Sequence, residues 1–212
     1  MLEQLVSHTT CPDFPLVGGR VPLDLKKIAQ MPNGEAKVET VNTKLLLEVS
    51  VMKRSVQIKP ERPSEEEFFN PKIFVHTYIQ GSNELGLAVY AKRSDGTYFD
   101  SDFRAAPLTI ASVEYLLEEN PNITAFNSEF REGSDTFTSY NKFKSLFLAQ
   151  GVGEKQARKL AIGNVWTYTH VASQVEFTEI MDVEELADDH GLMHIYGKYT
   201  KKGEKADVSS RR

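Results

Sequence analysis

Apolar and polar positions change period partway along this chain. Residues 36–104 carry the period of two that marks half-buried strands. In Lys44–Lys59, KLLLEVSVMKRSVQIK, the residues Val49, Val51, Val56 and Ile58 alternate with polar ones. The break at Lys53-Arg54 predicts a bend or bulge between two halves. An acidic, proline-bounded connection, PERPSEEEFFNP, follows. The segment KIFVHTYIQ predicts a second strand, with Ile73, Val75, Thr77 and Ile79 on one face and Phe74, His76 and Tyr78 on the other. Bulk on both faces predicts a strand covered on both sides. After QGSNE, LGLAVYAKR predicts a third strand. Asp95-Gly96 then joins it to TYFDSDF as an antiparallel hairpin, because a tight hairpin turn needs positive φ at its centre.

Beyond residue 104 the period lengthens. Thr109 is placed to cap a helix whose stripe is Ile110, Val113, Leu116 and Leu117, and Asn120-Pro121 ends it. Tyr140, Phe143, Leu146 and Phe147 mark a second helix, stopped by Gly151. A third runs from about Glu154 to Ile162 and closes at Gly163. Residues 164–177, NVWTYTHVASQVEF, read as a returning strand. An acidic helix with Asp182 and Glu185 at capping-box spacing follows, and HIYGKYT reads as a last edge strand. The fold class expected is therefore α+β: an antiparallel meander over about 36–104, helices of 109–162 packed on it, and one or two late strands. Residues 1–34, dense in Pro and Gly, form an irregular arm with a short helical piece near Leu23–Ala29. Residues 35–200 form a single domain, and 201–212 form a mobile polar tail.

Composition narrows the class. An apolar fraction of 40% and a charged fraction of 26% are enough for a packed core, so disorder of the body is not expected. Cys11 is the only cysteine, so no internal disulfide can form. MLEQLVSHTT has neither a basic nor a long apolar stretch of the secretory kind, and no run approaches a membrane span. Asn122-Ile123-Thr124 spells a glycosylation sequon, and without a secretory signal it reads as a helix-terminating loop. The location expected is cytoplasmic, or nuclear by diffusion. The net charge of −5 requires that any nucleic-acid contact come from a local basic face.

Such a face exists. Between Thr138 and Ile162 stand Lys142, Lys144, Lys155, Arg158 and Lys159 against one acid, Glu154. Within it, SLFLAQGVGEKQARKLA at 145–161 resembles a helix-hairpin-helix element: an apolar helix, the turn Gly151-Val152-Gly153, then a helix with Ala157 at a close-contact position and Leu160 closing the apolar face. The resemblance implies that backbone N–H groups of the turn sit against a DNA or RNA phosphate without reading bases. Glycines allow the close approach, and the helix N-terminus favours an anion. The resemblance covers about seventeen residues, and no second copy occurs. A plain αα-hairpin with glycine caps and a solvated basic face is the alternative reading.

Other constellations are weaker. Pro12-Asp13 followed by Glu35-Ala36-Lys37 spells a restriction-type nuclease core, in which Asp and Glu hold Mg²⁺ and Lys positions water, but Glu35 follows a turn signal. His190 and His194 near Asp188 and Asp189 have metal-ligand spacing, yet Gly191 separates them. His76 and His170 in predicted strands read as hydrogen-bonded core or interface residues. Cys11 with His8 lacks a positioned base. Tyr78, Tyr90, Tyr98, Phe99, Phe103, Trp166, Tyr168 and Tyr196 could stack bases or anchor an interface, and Lys92 and Arg93 are the few cations beside the meander aromatics.

The reading placed first is a non-enzymatic interaction or assembly protein, able to self-associate, by analogy with viral structural or accessory proteins and adaptors. Its partner would be another protein or itself. The second reading is a sequence-independent nucleic-acid binder using 141–161, with DNA or RNA backbone as partner. The third is a metal-dependent nuclease. No cofactor, resident metal, catalytic residue or membrane partner is expected.

Overall fold

The computed structural model describes residues 9–11, 23–40, 46–60, 74–90 and 105–203. The expected Asp95-Gly96 hairpin, Tyr98, Phe99, Phe103, Lys92, Arg93, His8, Asp13, the 60–71 connection beyond Pro60 and the tail beyond residue 203 lie outside the described residues, as do the Tyr90 and Cys11 side chains. The α+β expectation holds: the strands are mostly antiparallel and are joined by five α-helices among the described residues. The chain divides into two compact units, one formed by Met1–Ile79 and Leu87–Pro121, the other by Gln80–Gly86 and Asn122–Arg212.

In the first unit the strands run in the order β1 (Thr9–Cys11), β2 (Glu35–Thr40), β3 (Leu46–Met52), β4 (Ser55–Pro60) and β5 (Phe74–Gln80). Strand β1 lies parallel to β2, whereas the β2–β3, β3–β4 and β4–β5 ladders are antiparallel. A strand at 9–11 corrects the expectation of a wholly irregular arm, since three residues there pair with Val38–Thr40. The predicted period of two is met. Leu47, Val49, Val51, Val56, Ile58, Val75, Thr77 and Ile79 are buried. Their alternates His76 and Tyr78 are only half-buried, so β5 is not fully covered on both sides.

Lys53-Arg54 forms the two-residue turn of the β3–β4 hairpin, with Met52 opposite Ser55, rather than a bulge within one strand. Neither residue has positive φ, so the usual Asn-Gly signal was never required. Helix α1 (Leu25–Ala29) is capped by Asp24, whose carboxylate accepts from the Lys27 N–H at 2.9 Å, and it buries Leu25 and Ile28 against β3. Helix α2 (Ala105–Glu119) packs on α1 and β4. It begins four residues before the expected cap. Thr109 is a fully buried interior position, and the helix starts early because Pro107 is tolerated in a first turn. Asn120 ends it, donating from Nδ2 to the carbonyls of Leu116 and Lys53, both at 3.0 Å.

Strand β6 (Glu84–Tyr90) begins in the second unit. There β7 (Ala125–Arg131), β9 (Met193–Thr200) and β8 (Glu179–Ala187) form antiparallel ladders in the order β7-β9-β8. Helices α3 (Asp135–Ala149) and α4 (Glu154–Ile162) pack on one another, α3 against β7 and α4 against β8. Phe126, Tyr140, Ile162, Phe177, Ile195 and Tyr199 fill the interior.

Three expectations fail in this unit. Residues 164–177 form α5 (Trp166–Thr169) and a 3₁₀ turn at Ala172–Val175 rather than a strand. Val171 and Val175 are buried at helical spacing, and the Thr169 hydroxyl bonds back to the Val165 carbonyl. The acidic segment is β8 rather than a helix, its pairing with β9 overriding its helical composition. Asp182 accepts from the neighbouring Val183 N–H instead of capping a helix. Finally, β9 lies between two strands and is no edge, and β7 had no counterpart among the expected elements.

Candidate nucleic-acid interface

The α3–α4 hairpin follows from local chain chemistry. Ser134 caps α3, its hydroxyl accepting from the Phe137 N–H at 3.2 Å. At the other end Gly151 takes φ +81°, the left-handed region that favours glycine. Its N–H then reaches the Leu148 carbonyl at 2.9 Å, and the Val152 N–H reaches that of Phe147 at 3.1 Å. This is the paired Schellman closure of a helix C-terminus. Gly153 follows with φ −63° and ψ 148° as the N-cap of α4, and no side chain caps the helix. Ser, Thr or Asp at that position would place an oxygen over the first-turn N–H groups; glycine leaves that space open. A Cβ added at Gly151 or Gly153 would meet nothing within 4 Å.

The turn is exposed. Gly151 and Gly153 are open to solvent, as are Glu154, Lys155 and Gln156 at the start of α4, and Val152 is half-buried. Deeper in the hairpin Ala157 is fully buried, as the close-contact position requires, and Leu160 is half-buried. Chain order thus yields a helix pair whose glycine turn stands at the surface.

The five cations separate into two sets. Lys144 and Arg158 are tied down by carboxylates: Lys144 Nζ lies 2.8 Å from Glu185 and 3.6 Å from Glu154, and Arg158 lies 3.0 Å from Glu154 and 3.3 Å from Glu185. Lys142, Lys155 and Lys159 have no carboxylate partner among the described residues. Lys155 and Lys159 are four residues apart on α4 and share a face. Lys142 sits on α3 about 12 Å back from the turn at 1.5 Å per residue.

In the sequence Glu185 stands out only as the capping-box partner of Asp182 in an expected acidic helix, with no part in the basic face. On β8 it projects inward, accepting from Tyr140 OH at 2.7 Å and from Lys144 at 2.8 Å. Burial pushes its carboxyl up, but the hydrogen bonds from Lys144 and Tyr140 and the charges of Lys144 and Arg158 outweigh burial and hold it below the ordinary value. Tyr140 is held neutral, by burial first and by that carboxylate second.

The remaining sequence constellations do not assemble comparably. Strand β2 begins at Glu35, so Glu35 and Lys37 do share a strand face, two residues apart; Asp13 lies outside the described residues. His194 is engaged at both nitrogens, Nδ1 with Glu129 at 2.7 Å and Nε2 with Asp188 at 3.2 Å, while His190 and Asp189 are exposed in the turn. Among the described residues no group of three or more His, Cys, Asp or Glu is arranged to hold a metal ion. His76, its imidazole pushed down by burial, lies 3.4 Å from the Gln57 amide. His170 belongs to the other unit, exposed and stacked on Trp166 at 6.2 Å. Tyr168 donates to the Thr178 carbonyl and Tyr196 to Glu129, so both hydroxyls serve local structure.

No helix among the described residues is long and apolar enough to cross a membrane. No family model matches the chain, and neither a curated protein nor a solved structure matches it.

Proposed function

We propose that the second unit binds the phosphate backbone of nucleic acid, without sequence preference, through the α3–α4 hairpin. The observation that carries this reading is the exposed Gly151-Val152-Gly153 turn, which leads into a helix whose first-turn N–H groups no side chain caps. Partial positive charge at a helix N-terminus and glycines that permit close approach favour a phosphate oxygen there. Lys155 and Lys159 extend the attraction along α4, and Lys142 extends it along α3. Backbone contact of this kind gives dissociation constants on the order of 10⁻⁴–10⁻⁶ M at physiological salt.

Gly153→Asp tests the reading with opposed signs. Its backbone already has N-cap geometry, so the new carboxylate caps α4 and stabilises it by a few tenths of a kcal/mol. The same carboxylate occupies and repels the phosphate position. Fluorescence anisotropy with duplex DNA and duplex RNA should show binding by the native chain and none by this variant. Equal binding by both would remove the turn from the reading.

A second reading, self-association as an assembly protein, has one favouring observation. Leu186 (52% exposed), Leu192 (43%) and Tyr196 (37%) stand open around the β8–β9 hairpin. Sedimentation equilibrium over a hundredfold concentration range decides it: a mass that rises with concentration, and falls back in Leu186→Asp, supports a second copy on that surface.

A further inference from the structure

We propose that Glu185 is a positioning residue for this interface, clamping α3 to α4 so that the glycine turn presents its amides to a phosphate; the proposal rests on the backbone-binding reading above. One carboxylate gathers both arms of the hairpin. From α3 it takes Tyr140 OH at 2.7 Å and Lys144 Nζ at 2.8 Å; from α4 it takes Arg158 Nη2 at 3.3 Å. Glu185 itself is anchored in the β8–β9 ladder opposite Ile195, and its side chain is 14% exposed.

The clamp is needed because the tip has little else to hold it. Ser145, Leu146, Leu148, Ala149, Gln150, Gly151, Gly153, Glu154, Lys155 and Gln156 are all exposed, so the last turn of α3 and the first of α4 stand clear of the interior. Phe143, Phe147 and Val152 are half-buried, and full burial resumes at Tyr140 and Ala157, the level at which Glu185 enters. The cluster faces inward, and a phosphate at the glycine turn does not replace Glu185. Lys144 and Arg158 therefore belong to the frame of the hairpin, and Lys142, Lys155 and Lys159 remain as the phosphate-facing cations.

Glu185→Gln separates positioning from simple electrostatics, because the two predict opposite signs. The variant keeps the size of the side chain, loses one negative charge and leaves Lys144 and Arg158 with Glu154 as their remaining carboxylate. If charge alone mattered, it would bind duplex DNA more tightly and with a steeper salt dependence. If Glu185 positions the turn, the full-length variant binds about tenfold more weakly with an unchanged salt slope, a loss equal to roughly 1.4 kcal/mol.

Hydrogen exchange supplies a readout that needs no ligand. Amides of 157–160, the first in α4 with helical acceptors, should exchange faster in the variant, while those of the β7–β9 ladder keep their native protection. Equal acceleration in both places would mean a general loss of stability and would overturn the proposal, as would tighter binding. Should Glu185→Gln fail to fold, Tyr140→Phe removes one of the three bonds without changing charge. It should show the same pattern at smaller amplitude, and native exchange at 157–160 in that variant would also overturn the clamp. Absence of nucleic-acid binding by the native chain would sink the backbone-binding reading, while the exchange experiment would still decide whether the clamp exists.

Discussion

Gly197 lies mid-strand in β9, where the Ile162 side chain, the Tyr199 hydroxyl and the Ser128 hydroxyl crowd the space a Cβ would take. The strand tolerates a glycine because α4 must come close to it. Gly197→Ala should cost about 1–3 kcal/mol through overpacking, read as a lower urea midpoint with an unchanged slope. Gly34 is constrained differently. Its φ of +66° favours glycine, and a Cβ would also strike the Val51 carbonyl oxygen. Gly34→Ala should therefore destabilise by at least about 1–2 kcal/mol in the same titration. Tyr199 illustrates a third constraint. Burial pushes its hydroxyl up to about 12, so it stays protonated and bonded to Ser128 at 3.0 Å. None of these demands shows in residue type alone, since each depends on what a distant segment brings alongside.

At the scale of elements, the β8–β9 hairpin carries a charge-dependent fastening. The Glu129 hydrogen bond first, and the Asp188 contact with it, raise the His194 imidazole above its ordinary value of 6.5. Asp188 is lowered below 3.8, by the Leu192 N–H first. A raised imidazole contributes its stability fully below 6.5 and loses it as pH rises through the folded value; a lowered carboxyl contributes above 3.8 and loses it as pH falls. The fastening is thus strongest between those two limits. His194→Gln should remove the alkaline loss: thermal melts from pH 5.5 to 9 should show the native midpoint falling relative to the variant's as pH rises.

Legibility also divides by element. Strands β3, β4 and β5 were readable because Val49, Val51, Val56, Ile58, Val75 and Ile79 keep a strict alternation into one core. Helices α3 and α4 were readable from their glycine stops. Strand β7 carried a signal that went unused, Phe126-x-Ser128-x-Phe130, all buried. Strand β8 carried almost none: within EIMDVEELA only Val183 is buried, so its identity comes from pairing with β9. The candidate site was legible in its turn and its lysines. Its clamp was not, because Glu185 meets Lys144 and Arg158 only once β8 has formed.

For the molecule as a whole, the pairing of Lys144 and Arg158 reduces a basic stretch of five cations to three that face solvent without a carboxylate partner. Counterion release then predicts a salt slope of roughly −3 on duplex DNA, at about 0.9 per neutralised phosphate. Lys142→Gln, Lys155→Gln and Lys159→Gln combined should flatten that slope toward zero, measured as the logarithm of the association constant against log salt. A slope steeper than about −5 in the native chain would mean that the paired cations also meet phosphate.

The second unit draws Gln80–Gly86 from well upstream of the rest of its sequence. Glu84 there accepts from Asn127 at 2.8 Å and from Lys198, 114 residues further on. At ordinary elongation speeds of 5–20 residues per second, about 6–23 s separate the emergence of those two partners from the ribosome. During that interval Glu84 waits without its lysine, and β8 and β9, which bring Glu185 and Lys198, have yet to be made. The hairpin is synthesised before its clamp, so any grip on a phosphate is among the last properties a nascent copy acquires.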